Sequence, residues 1–439
     1  MTKEVADKVF RAYDIRGLVD KEIDADFAFQ LGLAFVKYVR PKKVFVCTDT
    51  RQSKAKLYQG LKKGICAAGS DVYFAGVMST PQAYHEITHG EFDAGIIITA
   101  SHNPEGYNGF KLMKGDGKPI SGKKGGLAIK KIFKEKDFTY SDESGKEIEY
   151  VSNKYGEFLQ KEFESINKLN AVVDKSNGSG RIETQFLKQK FEDVHVINES
   201  ENGFNHEPDP TSSESQKQLA QKIKKEKKDF GLIFDGDADR VVFLDENGKE
   251  VRPDIIACII MDNLPKGKIV QDTRSTSYLK EKAESLNREH VMSKSGRTNM
   301  IEVLRERNGE FGVEGSGHYF FKEFNYLDCP MLTLKYLLIT IQKENKTLST
   351  LRKQNTKYYH SGEHNYKVKN ADAKMSLLRN EFSDAKKILF LDGISIYEED
   401  YWFNVRKSNT QPVVRINLEA KTKDKMTSML KNLDDLMSN

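Results

Sequence analysis

The chain has 439 residues, 38% hydrophobic and 31% charged, and its 70 basic and 65 acidic side chains leave a net charge of +5. Length alone allows about three domains with separate cores. Charges this evenly matched argue against the concentrated basic face of a nucleic-acid binder, while leaving room for a local cationic pocket that receives small anions. No stretch approaches the roughly 18–20 continuous apolar residues of a membrane span. The opening MTKEVADKVF is charged from its third residue and has no signal-peptide core. Cys47, Cys66, Cys258 and Cys329 are scattered without CxxC spacing, which indicates neither a disulfide framework nor a zinc site. The expectation is a cytoplasmic protein with neither nucleic acid nor membrane as a partner.

Residues 24–40 carry apolar positions at helical spacing, 43–48 (KVFVCT) read as a strand, 54–68 as a helix and 71–75 as a short strand. The run at 94–99 (AGIIIT) is nearly all apolar, as in a strand buried on both faces of a parallel sheet, although periodicity does not separate it from a buried helix. Alternation of this kind predicts layered α/β structure. The Gly-, Lys- and Ser-rich stretch 114–150 reads as loops and exposed helix. The pattern then restarts, with a helix-like segment at 152–168, strands at 171–174 and 194–198, and a lysine-rich solvated helix face at 221–228. A third round covers about 251–360, and the segment from 363 contains strands and a closing helix at 422–437.

Four strings carry chemistry. Thr99-Ala-Ser-His-Asn-Pro104 follows the strand at 94–99, where ligands of open α/β sheets gather. Ser101 there has His102 and Lys111 nearby in sequence, as a serine nucleophile requires an activating partner; by itself SHNP reads as readily as a turn. Asp235-Gly-Asp237-Ala-Asp239-Arg240 lies between apolar strands at 231–234 and 241–244. Its three carboxylates, spaced by Gly and Ala, can converge on a hard cation such as magnesium, calcium or manganese. An EF-hand competes, since Glu246 is at the twelfth position, but the sixth is Arg240 instead of Gly. A metal-free turn would cluster like charges without a cation. Gly312-Val-Glu-Gly-Ser-Gly-His318 offers a carboxylate, a hydroxyl and an imidazole to the hydroxyls of a sugar, or is a plain Gly-rich turn. Arg406-Lys-Ser-Asn-Thr-Gln-Pro412, with Arg415 beyond it, can cradle a phosphate dianion or serve as a polar turn.

In this order, and with Phe10-Arg-Ala-Tyr-Asp-Ile-Arg-Gly17 at the start, the strings resemble the alpha-D-phosphohexomutase superfamily, most closely its phosphomannomutase/phosphoglucomutase branch. Weaker matches lie at 171–180 (AVVDKSNGSG), 204–211 (FNHEPDPT) and 391–396 (LDGISI). The resemblance implies three related mixed α/β domains plus a smaller C-terminal α+β domain around a central cleft. The expected boundaries are 1–148 for the phosphoserine domain, 149–250 for the metal-binding domain, 251–362 for sugar recognition and 363–439 for phosphate binding. It implies interconversion of hexose 1- and 6-phosphates of mannose or glucose through phospho-Ser101 and a hexose 1,6-bisphosphate, in a monomer or homodimer. Mg²⁺ would be held by Asp235, Asp237, Asp239 and the Ser101 oxygen. Arg16, His102, Lys111 and His318 would serve the transfer, with Lys111 and His318 both open as general base. Tyr13, Arg240, Glu314, Ser316, His318, Arg406, Ser408, Asn409 and Thr410 would hold substrate.

Three positions depart from the branch: Arg297 where histidine is frequent, Gly315 where Met or Gln is, and Asn417 where some members have a second arginine. Phosphoglucosamine mutase is the rival enzyme reading, and a sugar-phosphate-binding protein without activity is the non-catalytic one.

Overall fold

The computed structural model describes residues 3–407 and 413–438. The chain divides into two compact units, Met1–Val251 with Ser316–Leu348 and Arg252–Gly315 with Ser349–Asn439. The stretch 251–362, expected as one domain, therefore supplies residues to both.

In the first unit, one sheet runs in the order Ile15–Leu18, Tyr107–Lys114, Ala94–Ile98, Lys43–Thr48, Asp71–Val77, Glu147–Glu149. Its strands are parallel from Ala94–Ile98 outward to Glu147–Glu149, and Tyr107–Lys114 is antiparallel to both its neighbours. The apolar run of Ala94–Ile98 is buried at every position, so it is the strand its composition allows and not a helix. Helix Ala25–Val39 begins where the Asp24 carboxylate accepts the Phe27 N–H at 2.8 Å and ends at Arg40 in the left-handed conformation. Its buried face, Phe27, Leu31, Ala34 and Phe35, shares a core with Leu57, Leu61 and Ile65 of helix Lys54–Ala67. The two helices approach so closely that a Cβ at Gly64 would lie 2.0 Å from the Phe29 carbonyl oxygen.

Glu147–Glu149 falls in the stretch expected to be loops and helix. Its sequence gives no apolar run: only the half-buried Ile148 stands between two exposed glutamates, which suits an edge strand and leaves no periodic signal. The helix expected over 152–168 stops at Glu162, and Phe163, Ile166 and Leu169 are buried from the turn beyond it. A second sheet runs Glu250–Val251, Val241–Asp245, Phe230–Phe234, Ala171–Asp174, Val194–Ile197, with the last three parallel.

In the second unit, Lys268–Asp272 pairs in parallel with His290–Ser293 and Gly309–Val313. A five-stranded sheet runs Tyr359–Lys367, Val413–Ala420, Tyr401–Lys407, Ile394–Tyr397, Lys387–Leu389, antiparallel throughout. Met429, Leu433 and Met437 of helix Lys423–Ser438 pack into its core. Among the described residues no helix is long and apolar enough to cross a membrane.

Candidate active site

Ser101 follows directly beyond the carboxyl end of Ala94–Ile98, buried and in the left-handed region at φ 52°. A non-glycine residue in that region is uncommon and is held there by its surroundings. Here the Ser101 N–H donates to Thr99 Oγ1 at 2.9 Å. Its hydroxyl donates to Asp235 Oδ2 at 2.7 Å and lies 3.3 Å from His102 Nδ1. Residues 101 and 235, separated by 134 positions in sequence, therefore meet at one hydrogen bond.

The Asp235–Arg240 loop is shaped by its own first carboxylate. Asp235 Oδ1 accepts the N–H groups of Asp239 and Arg240 at 3.0 and 3.1 Å, and Ala238 takes a φ of 57°. This turns Asp235, Asp237 and Asp239 to one place, with ligand oxygens within 4.8 Å of one another and all three side chains buried. Gly236 is required for the approach to the serine loop, because a Cβ there would lie 2.7 Å from the Ser101 carbonyl oxygen.

Cations surround the triad. Lys111, on Tyr107–Lys114, donates to Asp237 Oδ2 and Asp239 Oδ2 at 2.5 Å each. Arg240 Nε lies 3.8 Å from Asp235 Oδ2. His318 Nε2 is 3.3 Å from both Arg240 Nε and Asp239 Oδ1, and its Nδ1 is 3.0 Å from Ser316 Oγ. Arg16 pairs with Asp14 at 2.7 Å and bonds the Asn103 side chain. Tyr13, beside it in sequence, is 37% exposed.

The charge states follow from this geometry. Burial, then Asp239 and Asp237, push Asp235 well above the usual carboxylate range. Burial and Asp239 act on Asp237 in the same direction, but Lys111 outweighs them and holds it below its ordinary value. Burial also opposes ionisation of Asp239, yet Lys111 and His318 hold it well down. Burial, with Arg240 and Arg16 adding to it, keeps the His102 imidazole well below its usual value and so neutral at physiological pH. Asp237 and Asp239 are thus held ionised by their cationic neighbours, while Asp235 resists ionisation. Asp237 Oδ1 is buried without a hydrogen-bond partner among the described residues. An oxygen-only donor set with an unused buried carboxylate oxygen fits a hard divalent cation.

Two residues that support the triad escaped sequence reasoning. Thr80 donates its hydroxyl to Asp237 Oδ2 at 2.7 Å and its N–H to the Asp237 carbonyl at 2.8 Å. The preceding Ser79 caps helix Thr80–His89 and donates to Glu183, whose burial raises its carboxyl from 4.5 to about 7. Below pH 4.5 that carboxyl is protonated folded or unfolded, so it costs nothing there. As pH rises from 4.5 to about 7 the unfolded chain ionises it first, and stability falls. Glu183→Gln is expected to remove this loss, raising stability at pH 8 by about 3 kcal/mol relative to wild type and leaving it little changed at pH 4. Denaturant unfolding at the two pH values measures the difference.

The second unit holds the remaining candidates. Glu314 follows Gly309–Val313 and accepts the Gly296 N–H at 2.5 Å, next to Arg297 at the start of helix Arg297–Arg307. Arg274, which no string singled out, pairs with Asp272 at 2.5 Å and interacts electrostatically with Glu314 and Glu363. A Cβ at Gly315 would meet nothing nearer than Arg274 at 3.9 Å, so this departure leaves room where larger residues are frequent. Glu363 holds both arginines of the phosphate string, Arg406 at 2.8 Å and Arg415 at 3.2 Å. Burial opposes its ionisation, but Arg406 and the other arginines hold Glu363 below its ordinary value. Asp392 of the LDGISI string accepts the Ser295 N–H at 3.1 Å. Ser408, Asn409 and Thr410 lie outside the described residues.

The α/β units thus bring a buried serine against a buried carboxylate cluster. Comparison with known proteins shows the family. The four domain models of phosphoglucomutase/phosphomannomutase match in order: alpha/beta/alpha domain I at residues 7–140, domain II at 149–248, domain III at 252–359 and the C-terminal domain at 363–436. A phosphomannomutase of Methanocaldococcus jannaschii is 37% identical, covering 98% of this chain and 97% of its own. The Escherichia coli K12 phosphomannomutase is 31% identical over 94% of each chain. The crystal structure of a phosphoglucomutase/phosphomannomutase family protein from Burkholderia thailandensis superposes with a TM-score of 0.88 at 28% identity, covering 99% of this chain and 97% of that one. The chain belongs to the phosphoglucomutase/phosphomannomutase family and has its four-domain α/β architecture with mixed sheets.

Proposed function

We propose that this hexose phosphate mutase, an isomerase by family, works through phosphorylation of Ser101. The observation that carries the reading is the 2.7 Å hydrogen bond from the Ser101 hydroxyl to Asp235 within the buried triad. In the forward direction a hydroxyl of the hexose monophosphate attacks phospho-Ser101. The new P–O bond forms to the sugar, the bond to Ser101 Oγ breaks, and the sugar's proton passes to a base. The resulting hexose 1,6-bisphosphate then returns its other phosphoryl group to Ser101 by the reverse steps. Mannose and glucose phosphates are the substrates this reading favours. Mannose, glucose and glucosamine 1-phosphates assayed side by side test it against the glucosamine reading and the non-catalytic one.

Transfers of this kind depend on positioning and charge stabilisation more than on covalent help from the protein. Asp235, Asp237 and Asp239, with the Ser101 oxygen, would hold Mg²⁺. When bound, it would supply electrostatic stabilisation to the transferring phosphoryl oxygens. Phosphoserine brings about −1.5 to −2 and three aspartates −3; two cation charges then leave roughly −3. Lys111, Arg240 and Arg16 supply +3, and each already lies against a triad or serine-loop partner. Lys111, donating to two carboxylates at once, is assigned to charge balance. His318 is assigned the sugar's proton, and His102, neutral and beside Ser101 Oγ, keeps the serine oriented.

This reading divides the labour along the chain: phosphoserine in 1–148, metal in 149–250, sugar in 251–362 and the phosphate grip in 363–439. Glu314, with Arg274 near it, would read sugar hydroxyls, while Arg406 and the string after it would hold the substrate's non-reacting phosphate. Arg406→Ala is therefore expected to raise KM by about 10- to 100-fold, the worth of one or two charge-assisted hydrogen bonds. Ser101 phosphorylation by the bisphosphate should persist in that variant. Steady-state kinetics with an unchanged KM would remove the grip from Arg406.

A further inference from the structure

Arg51 belongs to none of the four chemical strings. It follows Lys43–Thr48, the strand next to Ala94–Ile98 in the sheet. Its side chain is 3% exposed, and every one of its guanidinium N–H donors is in use. Nε donates to Asp49 Oδ2 at 3.2 Å. Nη2 donates to the carbonyl oxygens of Ser101 and Asn103 at 2.9 and 2.5 Å, and Nη1 to those of Pro104 and Tyr107 at 2.8 and 2.9 Å. Four carbonyls within seven residues thus point at one cation, the first belonging to Ser101 itself, whose backbone is in the left-handed region. Asp49 fixes the arginine's own orientation, since its other carboxylate oxygen accepts the Arg51 N–H at 2.9 Å. The guanidinium carbon stands 5.2 Å from the centre of the Phe204 ring, from the FNHEPDPT string that the proposed mechanism leaves unused. A Cβ at Gly236 would meet Pro208 of the same string at 3.3 Å, beside the Ser101 carbonyl.

Carbonyls that converge repel one another, and a loop of turn-forming residues has no ladder of its own to hold them. A planar fork with five donors is the side chain that satisfies such a set; a lysine presents three donors from a point and cannot reach the same directions. We infer that Arg51, stacked on Phe204, is the positioning residue that sets the phosphoserine loop so that the Ser101 oxygen meets the aspartate triad. The inference rests on the phosphoserine reading above. Arg51 touches backbone alone on that loop, so it acts through Ser101 and takes no part in the bonds that change.

A displacement of about 1 Å at the reacting oxygen lowers rate by about 100-fold. Arg51→Lys is expected to lower kcat by about that factor, and Phe204→Leu by less. KM for hexose monophosphate should stay within about 2-fold, because the proposed grip residues are untouched. Both variants should slow single-turnover phosphorylation of Ser101 by hexose bisphosphate in proportion to kcat. Circular dichroism and thermal melting identify any variant that has not folded, and the conclusion is then drawn from the other. A folded Arg51→Lys or Phe204→Leu protein with wild-type phosphorylation rate and kcat overturns the inference. So does a variant whose kcat and KM change together in step with a lowered melting temperature, which is what a merely structural arginine predicts. Ser101→Ala in the same assays keeps the two questions apart: if it remains active the phosphoserine reading fails, and if it alone is inactive only the role of Arg51 fails.

Discussion

Ser101→Ala is expected to reduce mutase turnover by on the order of 10⁴-fold or more, the scale on which enzymes lose rate when a nucleophile is deleted. The physical argument is that the alanine enzyme has no oxygen to carry the phosphoryl group between the two halves of the reaction. The fold should tolerate the change well. The serine is buried, but the hydroxyl removed is a donor to Asp235, a carboxylate that still accepts two backbone N–H groups from Asp239 and Arg240. One orphaned acceptor costs about 1–3 kcal/mol. Coupled assays of mutase flux, with thermal melts as a control, separate loss of chemistry from loss of structure. Activity within 10-fold of wild type would show that another group receives the phosphate.

Asp237→Ala carries the second large effect. Asp237 accepts from Thr80 and Lys111 on one oxygen, yet its Oδ1 has no hydrogen-bond partner among the described residues. Removing it should weaken divalent-cation binding and leave the site one negative charge short of what the cation needs. Lewis-acid stabilisation of phosphoryl oxygens is worth several kcal/mol, so turnover should fall by about 10³-fold or more. Wild-type protein treated with a chelator should lose activity to a similar degree. It should nevertheless remain folded, because Lys111 already bridges Asp237 and Asp239 while Arg240 lies beside Asp235. Adding Mg²⁺ should then raise the melting temperature of wild type and not of the variant, by mass action on the folded state. Equal Mg²⁺ dependence of the two proteins would take the metal from this site.

The parts of this site that were legible in sequence are contiguous strings whose side chains share one task. TASHNP and DGDADR each sit at the end of a buried apolar strand, and the strand places them without further information. Lys111 was legible because it lies ten residues beyond Ser101, on the strand that folds back antiparallel to Ala94–Ile98. What escaped are single residues supplied from elsewhere in the chain. Thr80 is 157 positions from Asp237, and Arg51 is 50 from Ser101. Each stands in a short polar segment that reads as a loop until the sheet order is known. Glu363 is another case: a glutamate in a strand of alternating exposure becomes informative only when Arg406 and Arg415 are found opposite each other in register on the neighbouring strands. The same reason hid Glu147–Glu149, whose partner strand begins 76 residues earlier, at Asp71. Local chemistry is written locally; the contacts that orient it depend on which strands become neighbours.

Intact-mass measurement and peptide fragmentation after incubation with a hexose 1,6-bisphosphate test the central claim most directly. The predicted result is one phosphoryl group per chain, located on Ser101, which passes into the hexose phosphates as radiolabel when unlabelled hexose monophosphate is added with Mg²⁺. A phosphoryl group on a different residue, or a label that never leaves Ser101 throughout active turnover, would contradict it.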